Sequence, residues 1–107
     1  MIYPRPYTFV QGHCTDPDIP IHIRANGCLL RITLAQSRRG WVFGLDIRTP
    51  IARTFIRCED REPHFRTSSA AILEALHEAE RWTIRNTTGD IRQFRTLIRR
   101  NRQDYIL

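Results

Sequence analysis

Ile19-Pro20-Ile21-His22-Ile23-Arg24-Ala25-Asn26-Gly27-Cys28-Leu29-Leu30-Arg31-Ile32-Thr33-Leu34 is the stretch that decides the fold. Ile19, Ile21 and Ile23 alternate with Pro20, His22 and Arg24. A period of two sends successive side chains to opposite sides of a strand, so one side is buried and the other is not. Asn26-Gly27 tolerates positive φ at both central turn positions, the strongest short signal for a hairpin. The returning strand, Cys28 to Leu34, puts Cys28, Leu30, Ile32 and Leu34 on one face and Arg31 and Thr33 on the other.

The same pattern extends in both directions. Upstream, Tyr7-Thr8-Phe9-Val10-Gln11 is aromatic and β-branched and is bracketed by Pro4, Pro6 and Gly12, which predicts another strand. The segment from His13 to Pro20 carries Asp16-Pro17 and is expected to be a loop. Downstream, Ser37-Arg38-Arg39-Gly40 predicts a turn. Trp41, Phe43, Leu45 and Ile47 then alternate with Val42, Gly44, Asp46 and Arg48 in a fourth strand, which Thr49-Pro50 ends. Arg53-Thr54-Phe55-Ile56-Arg57-Cys58 predicts a fifth, with Phe55 and Ile56 on opposite sides and no clear inner face. Glu59 to Arg66, charged and holding Pro63, is expected to be a loop.

At Thr67 the period changes from two to 3.6. Thr67-Ser68-Ser69 offers hydroxyls to the orphan N–H groups of a helix start. Ile72, Leu76, Ala79 and Thr83 keep helical spacing, widened by Leu73, Ala75 and Trp82, up to an end near Asn86. A second helix is expected from Asp90, where Asp90 and Gln93 stand at capping-box spacing, with Ile91, Phe94, Leu97 and Ile98 as its apolar face. Asn101 to Leu107 is expected to fray or to dock through Tyr105 and Ile106. The fold expected is a single α+β domain over residues 1–107, mainly β over 1–66 and mainly α over 67–107. It consists of an antiparallel meander of four to five strands followed by two helices packed on one face.

Composition limits the function. A chain of 107 residues buries one modest core. Its 41% hydrophobic content is enough to offset chain entropy and excludes wholesale disorder. All 17 basic residues are Arg, and against 11 acids they leave a formal charge of +6, which favours anionic partners. Arginine suits phosphate or carboxylate because its planar fork donates paired hydrogen bonds. With no apolar run long enough to span a membrane and no secretory leader, a cytoplasmic location is the expectation.

Three groups of arginines and cysteines carry the functional expectations. Arg92, Arg95, Arg99 and Arg102 fall at i, i+3, i+7 and i+10 on one side of the second helix, with Arg100 adjacent and no acid between residues 91 and 102. Such like charges repel, which is easier to understand if an anion neutralises them (nucleic-acid phosphates, carboxylates of a partner, or carboxylates of the first helix); the alternative is an ordinary solvated face helped by the dipole at the helix C-terminus. Arg24, Arg31 and Arg48 each sit opposite the apolar set of their strand, with Thr33 beside them. His13, Cys14, Cys28, Cys58 and His64 lack the close ligand pairs of a zinc site, and no metal or cofactor is expected. Adjacent residues in extended chain point apart, so His13 is not placed to activate Cys14, and no catalytic residue is assigned. Trp41 and Trp82 fall on the apolar stripes and are expected in the core.

From Trp41 to Trp82, through Trp41-Val42-Phe43-Gly44-Leu45-Asp46-Ile47-Arg48, Arg53-Thr54-Phe55-Ile56-Arg57 and Thr67-Ser68-Ser69-Ala70-Ala71-Ile72, the order of elements resembles the AP2-type and integrase arm-binding domains. The resemblance is one of pattern, covers under half the chain, and has no residue role carried over from it. The function expected is a small, non-enzymatic, nucleic-acid-associated protein (DNA or RNA) that uses Arg92, Arg95, Arg99, Arg100, Arg102, Arg24, Arg31 and Arg48. The alternative is an inhibitor or adaptor module, of the kind mobile elements encode, that binds an acidic protein surface. A homodimer formed through the sheet edge or the Tyr3, Tyr7 and Phe9 region is a third reading.

Overall fold

A computed structural model describes residues 9–86 and 91–106. Its elements in chain order are β1 (Phe9–Val10), β2 (His13–Cys14), β3 (Asp18–Ala25), β4 (Cys28–Ser37), β5 (Gly40–Arg48), β6 (Arg53–Ile56), α1 (Ser68–Arg85) and α2 (Arg92–Ile106). Strands β3-β4-β5-β6 form an antiparallel meander in that order, and β1-β2 form a separate two-stranded hairpin. The domain is α+β, as the change of hydrophobic period implies.

Register separates the two faces of the sheet. Ile23, Leu30, Ile47 and Thr54 align across the four strands, as do Ile21, Ile32, Leu45 and Ile56. These rows face the helices, and Leu30, Ile32 and Ile47 are fully buried. The Asn26-Gly27 turn that fixes this register has φ of 50° and 79°, as its residues require. Ala71, Ile72, Ala75, Leu76 and Ala79 of α1 and Phe94 and Ile98 of α2 close the core from above. Burying each large side chain contributes about 1.5–3 kcal/mol, which is what holds the two layers together. Trp41 belongs to this core and Trp82 packs against it.

The helices begin and end for identifiable reasons. The Thr67 hydroxyl accepts from the Ala70 N–H at 3.1 Å and caps α1. Asn86 closes its other end, its side chain donating to the Trp82 carbonyl at 3.0 Å. α2 continues to Ile106 rather than fraying from Asn101, because Tyr105 packs against the core. Near its start, Gln93 accepts from the Asn26 side chain at 3.0 Å, tying the helix to the β3-β4 turn. The Asp90 half of the expected capping box, with Thr87 to Gly89, lies outside the described residues, as do Tyr3, Tyr7 and Leu107.

The expected loop from His13 to Pro20 is instead partly strand. Gln11 and Gly12 both take positive φ, 54° and 81°, and turn β1 back into β2. β3 already starts at Asp18. Gln-Gly is a weaker turn signal than Asn-Gly, and a two-residue strand has no period to detect. The fifth predicted strand ends at Ile56, two residues before Cys58. The chain then crosses the outer face of the sheet at Gly44, where a Cβ would lie 2.7 Å from the Cys58 nitrogen and 2.9 Å from the Ile56 carbonyl oxygen. Only glycine leaves room for that crossing. It creates a second, small core in which Ala35, Val42 and Cys58 pack with Phe9 and Cys14.

Candidate functional site

The outer face is covered at one end and open at the other. The β1-β2 hairpin and the segment after Ile56 cover Ala35 and Val42. Two cross-strand rows remain open beyond them: Arg24, Leu29, Arg48 and Arg53, then His22, Arg31, Asp46 and Phe55. Adjacent strands are about 4.8 Å apart, so Arg24 and Arg48, two strands apart, stand at about 10 Å. Arg57, just past the end of β6, borders the same surface. Five guanidinium groups thus share one face with a single carboxylate in its rows, Asp46.

Asp46 organises part of this face. It is 8% exposed and accepts from Arg48 through Nη2 at 3.1 Å and Nε at 3.4 Å. Arg53 Nε lies 3.5 Å from the same carboxylate, and the Arg53 guanidinium sits 5.8 Å from the centroid of the Phe55 ring. Phe55 is 56% exposed, which is unusual for a phenylalanine. Arg24 donates to His22 at 3.3 Å. Among the described residues, the guanidinium groups of Arg31 and Arg57 have no hydrogen-bond or ion-pair partner.

A cavity of about 440 Å³ opens where the covered and open halves meet. Arg31, Asp46, Phe55 and Arg57 line it from the open half, and Cys14 and Cys58 from the covered half. Its volume is within the usual range of small-ligand pockets, about 300–1,000 Å³. His13, also in its wall, has Nδ1 3.3 Å from a Glu59 carboxylate oxygen. Burial pushes the Cys58 thiol up to about 12 and also raises that of Cys14. Both are therefore thiols rather than thiolates near neutrality, unlike an activated cysteine nucleophile. Cys28 lies beneath the opposite face of the sheet, in the main core, and His64 is hydrogen-bonded to Asp60 and Glu62. Of the five residues weighed as metal ligands, Cys28 and His64 thus lie apart from His13, Cys14 and Cys58, and the described residues contain no group of three or more His, Cys, Asp or Glu that could hold a metal ion.

The arginine stripe of α2 lies elsewhere and is largely engaged inside the domain. Arg95 donates through Nη2 to the Thr83 carbonyl at 3.0 Å, satisfying an end carbonyl of α1. Arg99 Nε and Arg102 Nη1 each donate to Glu80 of α1, both at 2.9 Å. Glu80 is 13% exposed, and these two bonds join the helices. Of the three neutralising anions the stripe calls for, the first helix supplies the one observed. Arg92 and Arg100 are exposed on the same helix.

The structure thus brings Arg24, Arg31 and Arg48 together and turns Arg95, Arg99 and Arg102 towards α1. Sequence reasoning missed Arg53, Phe55 and Arg57 because the face of β6 was ambiguous. The pairing of Phe55 with Asp46 resolves it. No family model, curated protein or solved structure matches the chain, so its likeness to AP2-type domains rests on element order alone.

Proposed function

We propose that the protein is a non-enzymatic binding protein for single-stranded nucleic acid, held against the open half of the outer sheet face. The observation that carries this reading is the gathering of Arg24, Arg31, Arg48, Arg53 and Arg57 on one surface whose rows contain only Asp46 as an acid. Phosphates supply the missing counter-charge, and each neutralised phosphate releases counterions. The exposed Phe55 ring favours single strands, because an unpaired base can stack on an aromatic face and a paired one cannot. The α2 stripe, expected from sequence to contribute, is assigned a secondary role because Glu80 and Thr83 already engage three of its arginines.

Fluorescence anisotropy with short labelled DNA and RNA, single-stranded and duplex, tests the proposal. If about four phosphates are contacted, affinity for single strands falls about 50-fold between about 50 and 200 mM salt. Absence of binding to any oligonucleotide at the lower salt overturns it. A protein partner that survives nuclease treatment, with no oligonucleotide bound, favours the adaptor reading.

A further inference from the structure

We propose that Cys14 and Cys58 form a redox modification site, closing to an intramolecular disulfide in exchange with a low-molecular-weight disulfide such as oxidised glutathione. The proposal is independent of the nucleic-acid reading.

Backbone geometry carries it. The bridge between His13 and Glu59 is antiparallel, which places Cys14 directly opposite Cys58. The Cys14 N–H donates to the Cys58 carbonyl at 2.9 Å, and the Asp60 N–H donates to the Gly12 carbonyl at 2.7 Å. One of the two bonds of a hydrogen-bonded antiparallel pair is therefore made between the two cysteines, and a complete pair of that kind has Cα atoms about 5.5 Å apart. A disulfide needs about 4.4–6.8 Å, a range that includes this spacing. The side chains of an opposed pair leave the ladder on the same side, and both cysteines belong to the small outer core.

Access and selectivity come from the surroundings. Both residues line the cavity, so a small disulfide has a route to them. Cys14 is the more exposed and has the less perturbed thiol, so it is the first nucleophile. The Cys14 thiolate attacks one sulfur of oxidised glutathione, forming a mixed disulfide and releasing one glutathione thiolate, which takes up the proton. The Cys58 thiolate then attacks the Cys14 sulfur and displaces the second glutathione. Two S–H bonds are lost, one protein S–S bond forms, and oxidised glutathione is reduced to two thiols. Cys28, 3% exposed beneath the other face of the sheet, is the internal control.

The product ties the β1-β2 hairpin to the segment that crosses the sheet, fixing one wall of the cavity. The test is to incubate the folded protein with a graded glutathione redox buffer, quench with acid, count thiols and map tryptic peptides by mass. The expected result is a fall from three free thiols to one. It is accompanied by a loss of two hydrogens and a crosslink joining peptide 1–24 to peptide 58–61, with Cys28 still free in 25–31. Cys58→Ser should stop at a glutathione adduct on Cys14. Three free thiols throughout, adducts without the crosslink in the unmodified chain, or a crosslink involving Cys28 overturns the proposal.

Discussion

Replacing Gly44 by alanine places a methyl group where the chain crosses the outer face. The new Cβ would stand 2.3 Å from Thr33 Oγ1, 2.7 Å from the Cys58 nitrogen and 2.9 Å from the Ile56 carbonyl oxygen. The threonine side chain can rotate away, but the other two atoms are backbone and move only with segment 56–58. Overpacking of this kind costs about 1–3 kcal/mol. Removing a glycine from a strand returns about 0.5–1 kcal/mol of backbone entropy, so the net loss is about 1–2 kcal/mol. Urea denaturation reads this as a lower midpoint at unchanged slope. The damage is also local, because the displaced segment carries Cys58 off Ala35 and Val42. Cys58 should then react with an aromatic disulfide reagent about tenfold faster, the equivalent of 1.4 kcal/mol of easier opening. Gly12→Ala is the comparison: it has open space within 4 Å but φ of +81°, so it costs about 1–2 kcal/mol through backbone strain alone. Stability of Gly44→Ala equal to or above that of the parent, with Cys58 as slow to react, would refute the crossing as described.

Three further perturbations probe the rest of the architecture. Glu80→Gln keeps the shape of the side chain but removes the charge that Arg99 and Arg102 share; with solvent screening of the exposed arginines, about 1–2 kcal/mol should be lost. Its melting temperature should drop while oligonucleotide affinity holds, and an unchanged melting temperature counts against the clamp. Phe94→Ala empties a fully buried site between helices and sheet and should cost about 3–5 kcal/mol in urea titrations; a loss below about 1 kcal/mol contradicts the assigned core. The hydrogen bond with His64 holds the Asp60 carboxyl below its ordinary 3.8, with Ser37 and Arg39 adding to the effect. A lowered native pKa gives stability that is fully present above the unfolded value and is lost as pH falls through the folded one. Stability should therefore decline on acidification below about pH 4, and less steeply in Asp60→Asn; parallel pH profiles contradict it.

Much of the fold was legible because period-two and 3.6 patterns are strong local signals. The stretch from Ile21 to Leu34 predicts its hairpin, turn and inner face, and Thr67 marks the start of α1; Ile19, expected on the same inner face, is instead 45% exposed because the register with β4 shifts between Asp18 and Ile21. The site was legible in part. Arg24, Arg31 and Arg48 follow from strand alternation, since each lies opposite an apolar set. Phe55 and Arg53 did not, because β6 is only four residues long and its face is set by pairing with β5. Gly44 was a readable hint, as a glycine inside a strand pattern marks a close backbone approach. What approaches it is a tertiary fact. The fate of the α2 stripe was equally tertiary: spacing puts its arginines on one side of the helix, but only packing shows that the side faces Glu80.

The most direct test removes the same charge from two places. Arg31→Gln with Arg57→Gln strips the open sheet face, and Arg99→Gln with Arg102→Gln strips the helix pair. Single-strand affinity and melting temperature are measured for both at one salt concentration. The sheet pair should lose at least about tenfold in affinity with little change in melting, and the helix pair should melt earlier while binding within about twofold of the parent. Equal losses of affinity in the two variants, or a loss confined to the helix pair, would contradict an anion-binding surface on the open sheet face.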